Sequence, residues 1–347
     1  MADSVLYFPY ISVPQTAWFA RVLLYWDQVG SIVPEPHARD LSRVSPFMRD
    51  LVHARLVEPI VPGEFDIELG GAMAPFFSFV DSDPEISARA KAGFGSTTAS
   101  RGATESGTVM HIHHDKFGFR VEEGLRQRGL ARTAGGGGEW LEVESRTAAA
   151  FMAFLAAALG RFEQVAMDPI TDSLASLSPF APAPVADPLA LAAELRMGVL
   201  EAVLPGPTDE ITVHDLVAFK ERHGDLLGRF RRHIETQLLD LAVIPNKQLR
   251  EARLALVRDE LADQLDEVQS RMRPRWPRLV FGTLCSLVGA AIPFGAAVAT
   301  GALPVAGAAL PGLVGAVYSA QEAIRSPTET RRHPLAYAAL ARERLAA

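Results

Sequence analysis

Apolar positions change period several times along the chain, and each change marks an element. VLYFPYI is rich in β-branched and aromatic residues and runs on to Pro14, which predicts a strand. In QTAWFARVLLYWDQV the residues Trp18, Val22, Tyr25, Trp26 and Val29 recur at helical spacing, with Thr16 placed to cap. SIVP predicts a second strand. SPFMRDLVHARLV predicts a helix with Ser45 as its N-cap and Pro46 in the first turn, and EPIVP a third strand. Strand, helix, strand, helix, strand predicts a small parallel α/β unit. No glycine-rich turn follows the first strand, so the dinucleotide fingerprint is missing.

The middle of the chain predicts a central α+β section. FFSFVDSD is expected as a strand ending at an acidic turn, and the small, polar run after it as an exposed loop. VMHIHHDK alternates as a strand, FGFRVEEGLRQRGLA has a helical period, and RTAGGGGEWLEVE predicts a hairpin turning at Gly135 to Gly138. A helix from Thr147 to Val165 follows. Helix, hairpin, helix resembles a winged-helix order, a likeness of fold only.

SLSPFAPAPVADP, with four prolines, predicts a stiff linker over 177–188 between a first domain (1–176) and a helical domain (189–347). Asp187 and Pro188 open the next helix. Thr212 and Asp215 resemble a capping box ahead of an apolar stripe at Leu216, Phe219, His223, Leu227, Phe230, Ile234, Leu238 and Leu241. After Ile244-Pro245, Leu254, Val257, Leu261, Leu265, Val268 and Met272 repeat the spacing, which predicts an antiparallel pair. The fold class expected is therefore α+β and predominantly helical.

Residues 279–321 carry no charge. The halves Leu279–Ala299 and Leu303–Gln321 are each near the ~20 residues that cross a bilayer, with arginines on both flanks. Ala and Gly dominate, however, and Pro293, Pro304 and Pro311 interrupt, which favours an apolar hairpin buried in protein over one inserted in membrane. A hairpin sheltered in one state and released in another is the third alternative.

Composition narrows the functional classes. Charged residues make up 22% of 347, as in ordinary globular proteins, and the formal net charge of −7 disfavours general nucleic-acid binding. The helix with Arg120, Arg126 and Arg128 and the hairpin's Arg132 keep a local nucleic-acid reading open, diluted by Glu122 and Glu123. The single cysteine, Cys285, leaves no disulfide framework and no Cys-rich zinc site. With no secretory signal at the start, the expected location is cytoplasmic, or membrane-associated on the cytoplasmic face through 279–321.

One cluster has the chemistry of a metal site. On a strand, His111 and His113 of HIHHDK would share a face, and Asp115 could add a carboxylate for a divalent metal. His37, His53, His214 and His223 are further donors without local support. The simpler reading is that these histidines hydrogen-bond at a strand end and orient Lys116. No nucleophile elbow and no P-loop is present; the glycine run opens a strand. No catalytic set is complete, and no organic cofactor is implied. The sequence thus favours a non-enzymatic interaction or effector protein, using its apolar hairpin against a protein partner, another copy of itself or a membrane. The alternative is a metal-dependent enzyme built on His111 and His113.

YFPYISVP with WFARVLLYWDQVGSIVP, HIHHDKFGFRVEEGLRQRGLA with AAAFMAFLAAALG, and DLVAFKERHGDLLGRFRRHIE together resemble a bacterial domain-of-unknown-function family of high-GC, actinobacterial-type organisms. The resemblance implies one architecture from about Val5 to Ile324. It implies no activity, because that family has no assigned catalytic residues.

Overall fold

The computed structural model describes residues 4–92, 109–135, 138–172, 188–206, 212–272 and 331–345. The linker and the apolar tract 279–321 lie outside these residues. The fold is predominantly helical α+β. Two compact units are present: residues 1–187 with 206–220, and residues 188–205 with 221–347.

The first unit begins with the expected alternation. Strand β1 (Ser4–Tyr7), helix α1 (Ala17–Tyr25), strand β2 (Gln28–Ile32), helices α2 (Glu35–Arg39) and α3 (Pro46–His53) and strand β3 (Val57–Ile60) follow in order. Thr16 Oγ1 accepts from Phe19 N–H, and Ser45 Oγ from Met48 N–H, so both expected caps form. Helix α1 stops at Tyr25, earlier than the apolar spacing suggests, and Val29 belongs to β2. The helix end is capped from far along the chain: the Lys220 ammonium donates to the carbonyls of Leu23, Trp26 and Asp27 and satisfies acceptors that the helix end leaves open.

Helices α4 (Asp66–Ala72), α5 (Ala74–Ser82) and α6 (Pro84–Ala92) come next. FFSFVDSD is therefore helical, and the expected strand is corrected. Its aromatic residues suggested β propensity, but Phe76 and Val80, four apart, both face the core, and burial at helical period overrides propensity.

Strand β4 (Val109–His113), helix α7 (Phe119–Gln127), strands β5 (Ala131–Thr133) and β6 (Trp140–Glu144), helix α8 (Ser145–Gly160) and strand β7 (Asp168–Ile170) complete the series. Glu144, buried, caps α8 by accepting from the N–H groups of Arg146 and Thr147. Strands β4, β6 and β5 form an antiparallel sheet in that order, the expected helix–hairpin–helix section. The parallel sheet has order β3-β2-β1-β7, so a fourth strand joins it from far along the chain. Helix α8 bridges the two sheets, burying Phe151, Met152, Leu155 and Leu159 in one core with Leu6, Ile32, Ile112 and Leu141. Gly30 of β2 leaves room for Met167, which precedes β7, since a Cβ there would lie 2.6 Å from Met167 Sδ.

The second unit contains α9 (Pro188–Val203), α10 (Val213–Ala242, from Glu221 onward), α11 (Lys247–Met272) and α12 (Ala336–Leu345). The two predicted stripes are buried at Leu227, Phe230, Ile234, Leu238 and Leu241, and at Val257, Leu261, Leu265 and Val268. The closest neighbours of α11 are α9 and α12. The alanines of α12, at 336, 338, 339 and 341, are all fully buried and allow that approach. Phe230 stacks on Tyr337 at 5.6 Å, and Arg196 holds Glu235 through two bonds of 2.6 and 3.0 Å. Among the described residues, no helix is long and apolar enough to cross a membrane.

Candidate functional site

The strand β4 brings HIHHDK to one corner of the first unit, where its histidines part company. His111 stands opposite Glu142 on β6, largely exposed, with Nε2 3.6 Å from the carboxylate that Arg132 also holds at 2.7 Å. His113, two residues on, is fully buried. Its ring lies 5.2 Å from Trp140, its cross-strand neighbour, 5.4 Å from His37 of α2, and stacks on His114 at 5.0 Å. Strand alternation puts His111 and His113 on one face; Trp140 and His37 cover only its far end.

Beyond the strand the chain makes a 3-10 turn, His114–Lys116. Asp115 N–H donates to His113 Nδ1 at 3.3 Å. That bond fixes Nδ1 as the acceptor nitrogen and leaves the neutral ring its proton on Nε2. Burial, with His114 and His37 nearby, pushes the His113 pKa down despite Asp115, so the neutral ring prevails. His113 Nε2 is buried and has no hydrogen-bond partner, and the same holds for His37 Nδ1. Burial, Arg43 and Lys116 together depress His37 as well.

Lys116 closes the turn and points inward. It is 3% exposed, and its ammonium donates to the Pro9 carbonyl at 3.2 Å. Among the described residues no other bond to it is present. Desolvation brings its pKa down to about 7. Pro9 follows β1 and His37 follows β2, so the cluster sits at the carboxyl ends of neighbouring parallel strands, where open α/β sheets hold ligands. Near the same end, at the β1–β7 junction where strand order reverses, Tyr7 donates to Asp172 at 3.2 Å.

Among the described residues, a metal reading rests on His113, His114 and Asp115, whose donor atoms lie within 4.8 Å of one another. Ligands at the usual zinc distances sit about 3.4 Å apart in a tetrahedron. His114 Nδ1 and Asp115 Oδ1 meet that at 3.2 Å, while His113 Nδ1, 3.8 Å from Asp115 Oδ2, already accepts a backbone proton. His111 stands outside the group. His53 and His214 are exposed, and His223 is buried in the helical unit. Sequence reasoning named His37 without grounds and missed Trp140 and Pro9, since only the fold brings α2, β6 and the β1 loop together.

Compared with family models, curated proteins and solved structures, the chain matches none. The resemblance to a bacterial family therefore rests on the quoted stretches alone.

Proposed function

We propose that the first unit binds a small oxyanionic molecule, a carboxylate or phosphate, at the carboxyl ends of β1 and β2, with Lys116 and His113 as donors. One observation carries this reading: two N–H donors, at the end of β4 and in the turn that follows it, are buried with capacity unfilled. Lys116 has three protons and one acceptor, and His113 Nε2–H has none. Buried donors left unpaired cost about 1–3 kcal/mol each, and such groups call for a ligand, an ion or ordered water. Both groups are donors, so the partner they call for is an acceptor and not a cation. The test is calorimetry with inorganic phosphate and with succinate, using the full chain and Lys116→Met. Binding by the parent chain and its loss in the variant support the reading. Silence toward both probes, or zinc bound stoichiometrically at His113, overturns it.

A second reading, the interaction protein expected from 279–321, draws support from exposed apolar residues around the α10–α11 turn: Leu239, Val243, Leu249 and Leu256. Liposome flotation and partner capture, with and without residues 279–321, test the role of the tract. The nucleic-acid reading gains nothing, because Arg126, Arg128 and Arg132 already pair with Glu122, Asp81 and Glu142.

A further inference from the structure

Helix α11 carries its charges backwards. Its first twelve residues, 247–258, hold Lys247, Arg250, Arg253 and Arg258 against a single acid, Glu251. The remainder holds Asp259, Glu260, Asp263, Asp266 and Glu267 against Arg271. A helix macrodipole favours acids at the N-terminus and bases at the C-terminus, so this distribution opposes the helix's own field. Local pairs relieve part of it: Lys247–Glu251 at 3.9 Å and Arg253–Glu260 at 3.1 Å, the latter bridging two turns across Leu256.

The same helix buries only Val257, Leu261, Leu265 and Val268. On its outer side Leu249, Ala252 and Leu256 follow at i, i+3 and i+7 and are exposed, with Leu249 and Leu256 at 60% and 55%. Arg253 and Glu260 flank Leu256 on that side, one turn before it and one after. An apolar stripe with a basic end and an acidic end is complementary to itself when reversed.

We infer that α11 docks antiparallel on α11 of a second copy of this chain, about a two-fold axis near Leu256. The reversed helix lays the basic half on the acidic half and opposes the two macrodipoles, which offsets the conflict within each helix. Arg253 of one copy then faces Glu260 of the other, twice, because an isologous interface repeats each contact. Leu256 of the two copies makes only a small apolar centre, well below that of standard interfaces, so charge supplies much of the attraction and the dimer is salt-sensitive. The inference rests on the interaction reading and uses no residue of the ligand site.

Sedimentation velocity on the full chain tests it. The expected result is a dimer at low ionic strength that dissociates at high salt, and monomer in Leu256→Glu. Arg253→Glu alone and Glu260→Arg alone should each be monomeric, since each places like charges opposite one another. Mixing the two variants should restore a heterodimer. At one end of it the introduced acid of the first variant meets the introduced base of the second. At the other end the unaltered Glu260 of the first meets the unaltered Arg253 of the second. The bridge within each chain stays broken in that mixture, so restoration reports contact between chains. Circular dichroism confirms that each variant is folded. A parent chain monomeric at every salt concentration, or a mixture that stays monomeric, overturns the inference and leaves the flotation test of 279–321 unaffected.

Discussion

The Lys116 ammonium donates to the Pro9 carbonyl oxygen at 3.2 Å, across more than a hundred residues of chain, inside a region that excludes water. A lysine held this way opposes folding in its charged form. Its folded pKa lies near 7, whereas a lysine in the unfolded chain titrates near 10.4. Between about pH 7 and 10 the unfolded chain holds a proton that the folded chain releases, so stability rises with pH across that window. Lys116→Met should remove up to about 1.4 kcal/mol per pH unit from the slope. It should also leave the protein more stable at pH 7, as replacing a buried charge by a hydrophobe often does. Urea denaturation at several pH values measures both.

The buried His113 and the half-buried His37 act at the other end of the scale. His37 and His113 are both held below the usual value of about 6.5, chiefly by burial. As pH falls through 6.5 the unfolded chain takes up protons that the folded chain refuses, and stability is lost on acidification. His113→Gln should flatten the denaturation profile between about pH 6.5 and 5 relative to the parent. An unchanged profile would mean that the ring is not neutral and buried in the folded protein.

Glu144 joins two jobs that sequence does not connect. It caps α8 through the Arg146 and Thr147 N–H groups and pairs with Arg89 of α6 at 2.6 Å. Glu144→Ala should cost about 2–3 kcal/mol, from a lost cap together with a partly buried charge-assisted bond. Glu144→Gln should cost less, because one amide oxygen can still cap. Thermal unfolding of both variants decides.

In the helical unit the Arg196–Glu235 pair is bidentate and mostly enclosed, with 18% and 9% of the side chains exposed. Glu235→Ala should destabilise by about 3 kcal/mol by stranding the guanidinium, while Arg196→Met with Glu235→Leu should be near neutral. A double-mutant cycle in urea separates the two outcomes.

Much of the fold could be seen in the chain because local rules and burial agree there. Thr16 and Ser45 cap where their side chains allow, and the stripe through Phe230 and Ile234 is buried as its spacing requires. Where a distant partner decides, the sequence is silent. The open carbonyls at the end of helix α1 are met by Lys220, and β7, only three residues long, follows α8 and pairs with β1 from the far end of the unit. The site shows the same limit. Alternation places His111 beside His113, yet Trp140 and His37 bury one and leave the other at the rim. Lys116, in the motif itself, gives no hint in one dimension that its ammonium turns inward.

The return of residues 206–220 to the unit begun by residues 1–187 has a genetic consequence. Neither unit corresponds to one uninterrupted stretch of coding sequence. A single recombination crossover at the proline-rich run would carry away most of the first unit but leave behind Lys220, and with it the donor that finishes α1. Shuffling by simple exchange would therefore yield a damaged α/β unit and an orphaned helical segment. An exchange with one crossover keeps both units whole only if it carries them together.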